Sequence, residues 1–131
     1  MRPGVTFDTG ALIAVERRKE RARKVYERLR EQDVLITAPL PVIGEWWRGR
    51  TDWRERILAS IRLEPLTLAL VKLAGEALSS IPATRARGGP GIVDAVVMAS
   101  AASRGDVVYT SDVEDLERLG SFFPAVRVLS I

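Results

Sequence analysis

The chain has 131 residues, of which 47% are hydrophobic and 28% are charged. This length suits one ordinary domain, and this hydrophobic content excludes a wholly disordered chain, so we expect a single domain over residues 1–131. The sequence has no cysteine and no histidine, which excludes disulfides, thiolate zinc sites and catalysis by a histidine base. Its 20 basic residues outnumber 17 acidic ones, and this mild excess is consistent with a polyanionic partner.

No segment has the features of a targeting signal or a membrane span. The longest uncharged stretch, residues 34–44, has 11 residues, whereas a membrane helix needs about 20 apolar ones. Asp8 interrupts the N-terminus before a signal-like apolar run can form. We therefore expect a soluble, cytoplasmic protein.

Hydrophobic periodicity predicts strands that alternate with helices along the chain. The first half contains a predicted strand at residues 5–7, helical segments at 9–16 and 17–31, a strand at 34–37, a helix at 40–48 and a helix capped by Asp52 that runs to 61. The second half contains an edge strand at 63–66, a helix at 68–80 capped by Thr67, a glycine-rich loop at 83–91, a helix at 92–103, a strand at 106–110, a helix at 113–119 and a strand at 126–129. This alternation predicts an α/β domain with a mostly parallel sheet.

Four acidic residues interrupt otherwise apolar segments. Asp8 and Asp112 each follow a predicted strand, and Glu45 and Asp94 are each the only charge within an uncharged run. Burying an unpaired carboxylate is costly, and no basic side chain lies in these segments to serve as a partner. A shared cation satisfies all four, and oxygen ligands favour Mg²⁺, Mn²⁺ or Ca²⁺.

The topology makes it plausible that these acids converge. In an open parallel sheet, ligands bind in the crevice beyond the carboxyl ends of the strands, which is where Asp8 and Asp112 are predicted. Glu45 and Asp94 fall in early turns of predicted helices, which can point at the same crevice. Without a cation, such a cluster is strained by mutual repulsion or is partly protonated.

Each acid alone also has a simpler interpretation. Asp8 and Asp112 are placed to cap the helices that follow them, and Asp94 is placed to cap a helix starting at Ala95. Glu45 has no capping role but suits an exposed position on an amphipathic helix. For each residue alone both interpretations stay open, whereas the four together favour a joint acidic site.

The segments around the four acids resemble the motifs of PIN domains. Residues 7–14 (FDTGALIA) resemble the first motif, a strand that ends in Asp before a helix start rich in small residues. Residues 42–49 (VIGEWWRG) resemble the second, a Glu shortly before a Gly, and residues 92–99 (IVDAVVMA) resemble the third. Residues 107–112 (VVYTSD) resemble the fourth, a strand that runs into Thr-Ser-Asp. Each motif alone is weak, but the ordered set spans nearly the whole chain, from Val5 to about Leu129.

The length points further, to the VapC-like toxins of bacterial and archaeal toxin–antitoxin pairs. The resemblance implies a three-layer α/β fold with a mostly parallel central sheet flanked by helices. It also implies a metal-dependent endoribonuclease that is blocked by a cognate antitoxin and usually forms a homodimer. The residues carried over as the catalytic, Mg²⁺- or Mn²⁺-binding site are Asp8, Glu45, Asp94 and Asp112.

The chemistry of RNA hydrolysis suggests a division of labour among these acids. A divalent ion lowers the pKa of bound water and neutralises charge on the phosphoryl group. Because Mg²⁺ is typically held by one or two carboxylates, we expect Asp8 and Asp94 to be direct ligands. Glu45 and Asp112 then bind through water, orient the nucleophile or hold a second ion.

Further residues have supporting roles in this interpretation. Thr110 and Ser111 are the hydroxyls beside the site, and Asp115 occupies the position of an auxiliary acid in similar proteins. Candidate phosphate contacts are the basic residues beside the motifs or in the glycine loop: Arg48, Arg50, Arg85 and Arg87. For the charged run at residues 17–24 we favour a solvated helix face. For the three tryptophans we favour core packing or a protein interface over base stacking.

Three alternatives differ in class. A haloacid-dehalogenase-like phosphatase needs a second Asp two residues after the first, and Gly10 stands there instead. A receiver-like signalling domain needs an acidic pair near the first strand and a late lysine, and neither is evident. A non-catalytic PIN-fold RNA-binding module usually lacks one or more of the acids, and here all four are present.

Overall fold

A computed structural model describes residues 4–82 and 89–131 of the chain. Strands and helices alternate as predicted, with ends that differ by a few residues. The elements are β1 (Val5–Phe7), α1 (Thr9–Glu16), α2 (Glu20–Glu31), β2 (Ile36–Pro39), α3 (Leu40–Trp46), α4 (Asp52–Ser60), β3 (Arg62–Glu64), α5 (Leu68–Ser79), α6 (Ile92–Arg104), β4 (Val107–Thr110), α7 (Val113–Glu117) and β5 (Val128–Ser130).

The five strands form one sheet in the order β3-β2-β1-β4-β5, and every neighbouring pair is parallel. The predicted α/β class with a parallel sheet flanked by helices is therefore confirmed, and β3 is at an edge as expected. The chain builds the sheet outward from β1 on one side and then crosses to β4 on the other. The strand order thus reverses between β1 and β4, which is where open α/β sheets form a crevice at their carboxyl ends.

The core forms where the helices pack on the sheet. Helix α6 is the most deeply placed, since its residues 95–101 are all buried, and it contacts β1, β2, β4 and α5. Helix α1 contacts β1 and β4 and also packs against α2 and α3. The strand β1 itself is completely buried. In the part of the chain that the structure describes, no helix combines the length and the apolar character that crossing a membrane requires.

Two local predictions were wrong for identifiable reasons. The cap of α4 is Thr51 rather than Asp52, because the Thr51 hydroxyl accepts from the backbone N of Arg54 at 3.0 Å. Helix α2 begins at Glu20 rather than at residue 17, because Arg18 has a left-handed backbone with φ of 54° that separates it from α1. Most of the predicted loop at residues 83–91 lies outside the described residues.

The second strand is also displaced from its predicted position. Asp33 has a φ of 54° in the turn after α2, and Val34 and Leu35, which were assigned to the strand, only connect this turn to it. The strand then runs from Ile36 to Pro39. Pro39 is tolerated because it is the last strand residue and the cap of α3.

A buried ion-pair network supports the sheet beneath α6. Arg104 Nε donates to Asp106 Oδ2 at 3.0 Å, and the Thr6 hydroxyl donates to the same oxygen at 2.9 Å. Arg104 also pairs with Glu64 and donates to the Ser100 hydroxyl at 2.8 Å. Asp106 is only 5% exposed, so these bonds replace the water that its carboxylate loses on folding.

Candidate active site

Asp8 lies at the carboxyl end of β1, where the chain turns directly into α1. Its Oδ1 accepts from the backbone N of Ala11 at 2.8 Å, and its Oδ2 accepts from the Thr110 hydroxyl. The residue is 6% exposed. Burial is the main cause that raises its pKa from 3.8 to about 6, repulsion from Asp94 and Asp112 adds to the rise, and the two hydrogen bonds oppose it. Asp8 is thus a buried acid whose charged form the fold does not neutralise.

The contrast with Asp106 identifies Asp8 as unusual. Both carboxylates are buried at the end of a central strand, since Asp8 follows β1 and Asp106 precedes β4. Asp106, however, forms an ion pair with Arg104. Among residues 4–82 and 89–131, no basic side chain forms an ion pair with Asp8. A buried carboxylate that repels other acids and lacks a cation is a candidate functional group rather than a structural one.

Asp112 is linked to Asp8 through Thr110. The Thr110 oxygen, which donates to Asp8, also accepts from the backbone N of Asp112 at 2.9 Å. Asp112 caps α7, because its Oδ1 accepts from the backbone N of Asp115 at 3.2 Å. The predicted role of Thr110 as a hydroxyl beside the acids agrees with this geometry.

Asp94 is half-buried in the first turn of α6. Its Oδ2 accepts from the backbone N of Gly91 at 3.0 Å. Burial is the largest cause that raises its pKa, followed by repulsion from Asp115, Glu45 and Asp112. The expectation that Asp94 caps a helix starting at Ala95 was wrong, because α6 begins at Ile92 and Asp94 is its third residue.

Glu45 is exposed on α3 and is joined to the start of α1. Its Oε1 accepts from the Thr9 hydroxyl at 2.6 Å. Since Thr9 follows Asp8 directly, this bond connects the second motif with the first. Sequence analysis did not single out Thr9, although its place beside the strand-end acid was the available signal.

Asp115 stands beside these acids. The pKa of Asp115 is raised by burial first and then by repulsion from Asp112. Asp8, Glu45, Asp94, Asp112 and Asp115 come from four separate segments, and each repels at least one of the others. The structure therefore places the four predicted acids and Asp115 close enough to repel one another, with Asp8 and Asp112 just past the carboxyl ends of β1 and β4.

Gly10 allows the first and fourth motifs to approach each other closely. A Cβ built at Gly10 would lie 2.0 Å from Ser111 Oγ and 3.1 Å from Ser111 Cβ. Ser111 therefore packs against the backbone at the start of α1. A larger residue at position 10 would displace Ser111. The structure supports a packing role for Ser111 in holding the two motifs together.

The sequence model of the PIN domain matches residues 5–121. The chain belongs to the PIN domain family. No curated protein matches the chain. The family assignment made from the four motifs is confirmed by this match, which covers all of them.

Solved structures of complexes share this PIN fold at low sequence identity. A chain of VapBC2 from Rickettsia felis bound to a promoter DNA fragment has a TM-score of 0.72 and 11% identity, with 97% of this chain and 98% of that chain covered. DNA-bound VapBC from Salmonella typhimurium gives a TM-score of 0.67 and 17% identity, with 98% of each chain covered. A toxin–antitoxin complex from Klebsiella pneumoniae gives 0.65 and 14%, with 96% of each covered.

PIN-domain nucleases generally use divalent metal ions, which carboxylate oxygens can hold. Among the described residues, no three acidic side chains are arranged to hold an ion jointly. Mg²⁺ nevertheless needs only one or two carboxylates, because waters complete its coordination. The donor set consists of oxygens alone, and a cation would offset the cost of burial and the repulsion that raise the pKa of Asp8 and Asp94. The residues present therefore fit a hard divalent ion held by one or two carboxylates, and not the single ion shared by all four acids that the sequence suggested.

The predicted phosphate contacts are not joined to the acids in the described structure. Arg48 donates to the carbonyl of Trp47 at 3.0 Å, and Arg50 pairs with Asp52 at 3.2 Å, both at exposed positions. Arg85 and Arg87 lie outside the described residues. Arg48 and Arg50 remain predictions that rest on the sequence.

The tryptophans of the second motif are packed rather than exposed. Trp46 is 2% exposed and its Nε1 donates to Glu16 Oε1 at 2.8 Å. Trp47 packs edge-on against Trp46, with ring centroids 5.8 Å apart. Trp53 donates to the backbone carbonyl of Glu16 at 3.1 Å. The two adjacent tryptophans beside Glu45 are thus compatible with an acidic site, because the Trp46 ring packs α3 into the core while Glu45 on the same helix stays exposed.

Proposed function

We propose that this PIN domain is a Mg²⁺- or Mn²⁺-dependent endoribonuclease and the toxin of a toxin–antitoxin pair, with residues 1–131 as a single domain acting in the cytoplasm. The observation that carries the proposal is the set of acids that converge where the strand order reverses. The buried Asp8 supports it most strongly, because its raised pKa marks a charge that lacks a cation.

Asp8 and Asp94 are the proposed direct ligands of the ion, and Glu45 and Asp112 act through water or on the nucleophile. When bound, the ion supplies charge neutralisation at the phosphoryl group and a more acidic water. The chain's own groups fix the carboxylates: Thr110 and the Ala11 N–H hold Asp8. Hydrogen bonds from a backbone N–H to one oxygen each of Asp94 and Asp112 limit rotation of these acids. Such fixed ligands need little rearrangement in the reaction.

The proposed partners follow from the relatives. The structures that share the fold are toxin–antitoxin complexes, which supports a cognate antitoxin for this chain. RNA as the substrate and a homodimer as the assembly rest on the family resemblance. The mild positive charge of the whole chain is compatible with an RNA substrate.

The test is cleavage of a panel of structured RNAs by purified protein, with Mg²⁺ or Mn²⁺ against EDTA. Asp94→Asn keeps the side chain's shape and an oxygen for the Gly91 N–H but removes the charge. We expect it to lower the rate on the order of a hundredfold or more. Asp52→Asn is the matched control, because Asp52 is an exposed acid on α4 that pairs only with Arg50 in the described structure.

The outcomes separate the proposal from its alternatives. Metal-dependent cleavage that is lost in Asp94→Asn and kept in Asp52→Asn supports a nuclease with this acidic site. Equal cleavage by both variants points to a contaminating nuclease and refutes the assignment of Asp94. If no RNA is cut but calorimetry detects RNA binding, the protein is a non-catalytic module. Hydrolysis of a phosphate monoester instead of RNA indicates a phosphatase.

A further inference from the structure

A concave surface lies between helix α2 and strand β4. Its volume is about 660 Å³, within the range of roughly 300–1,000 Å³ typical of ligand sites. We call it the basic groove. It is lined by three cations (Arg21, Lys24 and Arg28), one acid (Glu20) and the side chains of Val25, Leu29 and Tyr109.

The cations of the basic groove share one face of α2. Arg21, Lys24 and Arg28 are three, four and seven positions apart, which is the spacing of one helical face. Lys24 pairs with Glu20 at 3.3 Å. In the described part of the chain, Arg21 and Arg28 form no ion pair. The groove therefore contains two exposed guanidinium groups whose charge is uncompensated.

The rest of α2 behaves differently. Arg23, on another face of the helix, pairs with Glu27 at 3.2 Å. Each of the two faces thus contains one ion pair, and the groove face additionally carries Arg21 and Arg28.

The floor of the basic groove is aromatic and firmly held. Tyr109 packs edge-on against the buried Phe7, with ring centroids 6.0 Å apart and an interplanar angle of 82°. Its own side chain is only partly buried and lines the groove. A partly exposed ring that shares a groove with guanidinium groups is a combination that suits single-stranded nucleic acid, because bases stack on the ring while cations contact phosphates.

The basic groove is directly connected to the acidic site through the backbone. The Tyr109 carbonyl accepts from the backbone N of Asp8 at 3.4 Å, and the next residue, Thr110, donates its hydroxyl to Asp8. Because successive residues of a strand point to opposite sides, Tyr109 and Thr110 place the groove and the acids on either side of β4. An RNA strand bound at the acids would therefore have to pass around the end of β4 to enter the groove.

We propose that the basic groove binds single-stranded RNA that flanks the scissile bond, with Arg21 and Arg28 on phosphates and Tyr109 under a base. This rests on the proposed nuclease function, which supplies an RNA next to Asp8. An acidic amphipathic peptide is the competing occupant. The aromatic ring favours RNA, because Tyr109 directly precedes Thr110, which bonds to Asp8.

The test measures binding rather than cleavage. A fluorescently labelled single-stranded 12-nucleotide RNA is titrated with full-length protein in EDTA, and its anisotropy gives Kd. Arg21→Gln/Arg28→Gln should weaken binding roughly ten-fold and lower the salt dependence, because two phosphate contacts are lost. The control Arg23→Gln/Arg30→Gln removes the same charge from the same helix outside the groove and should change Kd by less than about two-fold. Tyr109→Phe should bind like the wild type, whereas Tyr109→Leu should bind roughly ten-fold more weakly.

Each outcome decides the proposal. Selective loss in the groove variants supports it, and circular dichroism spectra identical to the wild type exclude misfolding as the cause. Equal Kd values for the two double variants overturn it, since net charge alone then accounts for binding. If the groove double variant loses binding of a synthetic Glu/Leu amphipathic peptide but keeps RNA binding, the occupant is a protein and the RNA assignment is wrong. Cleavage that depends on Asp94 but is unchanged in the groove double variant refutes only the groove, whereas groove-dependent binding without any cleavage refutes only the nuclease.

Discussion

Asp8→Asn isolates the free energy that the buried charge costs the fold. A rise of the pKa of Asp8 from 3.8 to about 6 corresponds to about 3 kcal/mol at neutral pH. Asparagine keeps an oxygen for the Ala11 N–H and is as good a helix cap as aspartate, but its amide nitrogen replaces the oxygen that accepts from Thr110. We therefore expect Asp8→Asn to raise the free energy of unfolding at pH 7.5 in metal-free buffer by about 3 kcal/mol less the cost of the lost Thr110 bond, which is about 1 kcal/mol.

The sign of the pH dependence follows from the raised pKa. Between about pH 6 and the ordinary value of 3.8, folded Asp8 holds a proton that the unfolded chain has released. The cost is therefore fully present above about pH 6 and disappears as the pH falls toward 4. The stability advantage of Asp8→Asn should shrink over the same window.

Urea unfolding in EDTA at pH 7.5, 6.0 and 4.5 measures this difference. Asp52→Asn, at an exposed acid, is the control and should stay within about 0.5 kcal/mol of the wild type at pH 7.5. Added Mg²⁺ should stabilise the wild type more than Asp8→Asn, since an ion that binds only the folded state stabilises it. An Asp8→Asn variant that is no more stable than the wild type at pH 7.5, or whose advantage is the same at all three pH values, would refute the argument from burial.

Three further substitutions test the contacts around the site. Gly10→Ala should destabilise the fold by about 1–3 kcal/mol in urea unfolding through its clash with Ser111, and Ser111→Ala in the same chain should restore part of the loss. Asp106→Asn should cost about 3 kcal/mol and lower the Tm, because it removes a charged partner of the buried Arg104; an unchanged Tm would contradict the network. Thr110→Val should raise the pKa of Asp8 further in a carboxyl NMR titration, because the hydroxyl that opposes the rise is gone; a fall would contradict this.

The features predicted well from the sequence are those that depend on local patterns. Strands, helices and their parallel arrangement follow from hydrophobic periodicity, and β1 and α6 were located nearly to the residue. The acids Asp8 and Asp112 were correctly placed after strands because a charge that ends an apolar run marks a strand end. That Asp8 and Asp112 come close enough to repel each other follows from the parallel sheet, which aligns the carboxyl ends of β1 and β4.

The features that were missed depend on contacts between distant residues. Arg104 and Glu64 are 40 positions apart, so no local pattern shows that they pair. The Thr9 bond to Glu45 requires the relative placement of α1 and α3, which periodicity does not define. Thr51 and Asp52 are both good caps, and the choice between them depends on which backbone N–H the chain presents.

Capping and metal binding, treated as competing interpretations of the acids, are compatible in this fold. Asp8 and Asp112 cap α1 and α7, and Asp94 bonds to a backbone N–H at the start of α6. For Asp94 and Asp112 the described hydrogen bonds occupy one carboxylate oxygen each, which leaves the second for another ligand. A backbone N–H at the start of each helix fixes one oxygen of the carboxylate. The fold therefore holds several negative charges near one another before any cation binds. The repulsion that results is the cost of such preorganisation, and a cation that binds there recovers it.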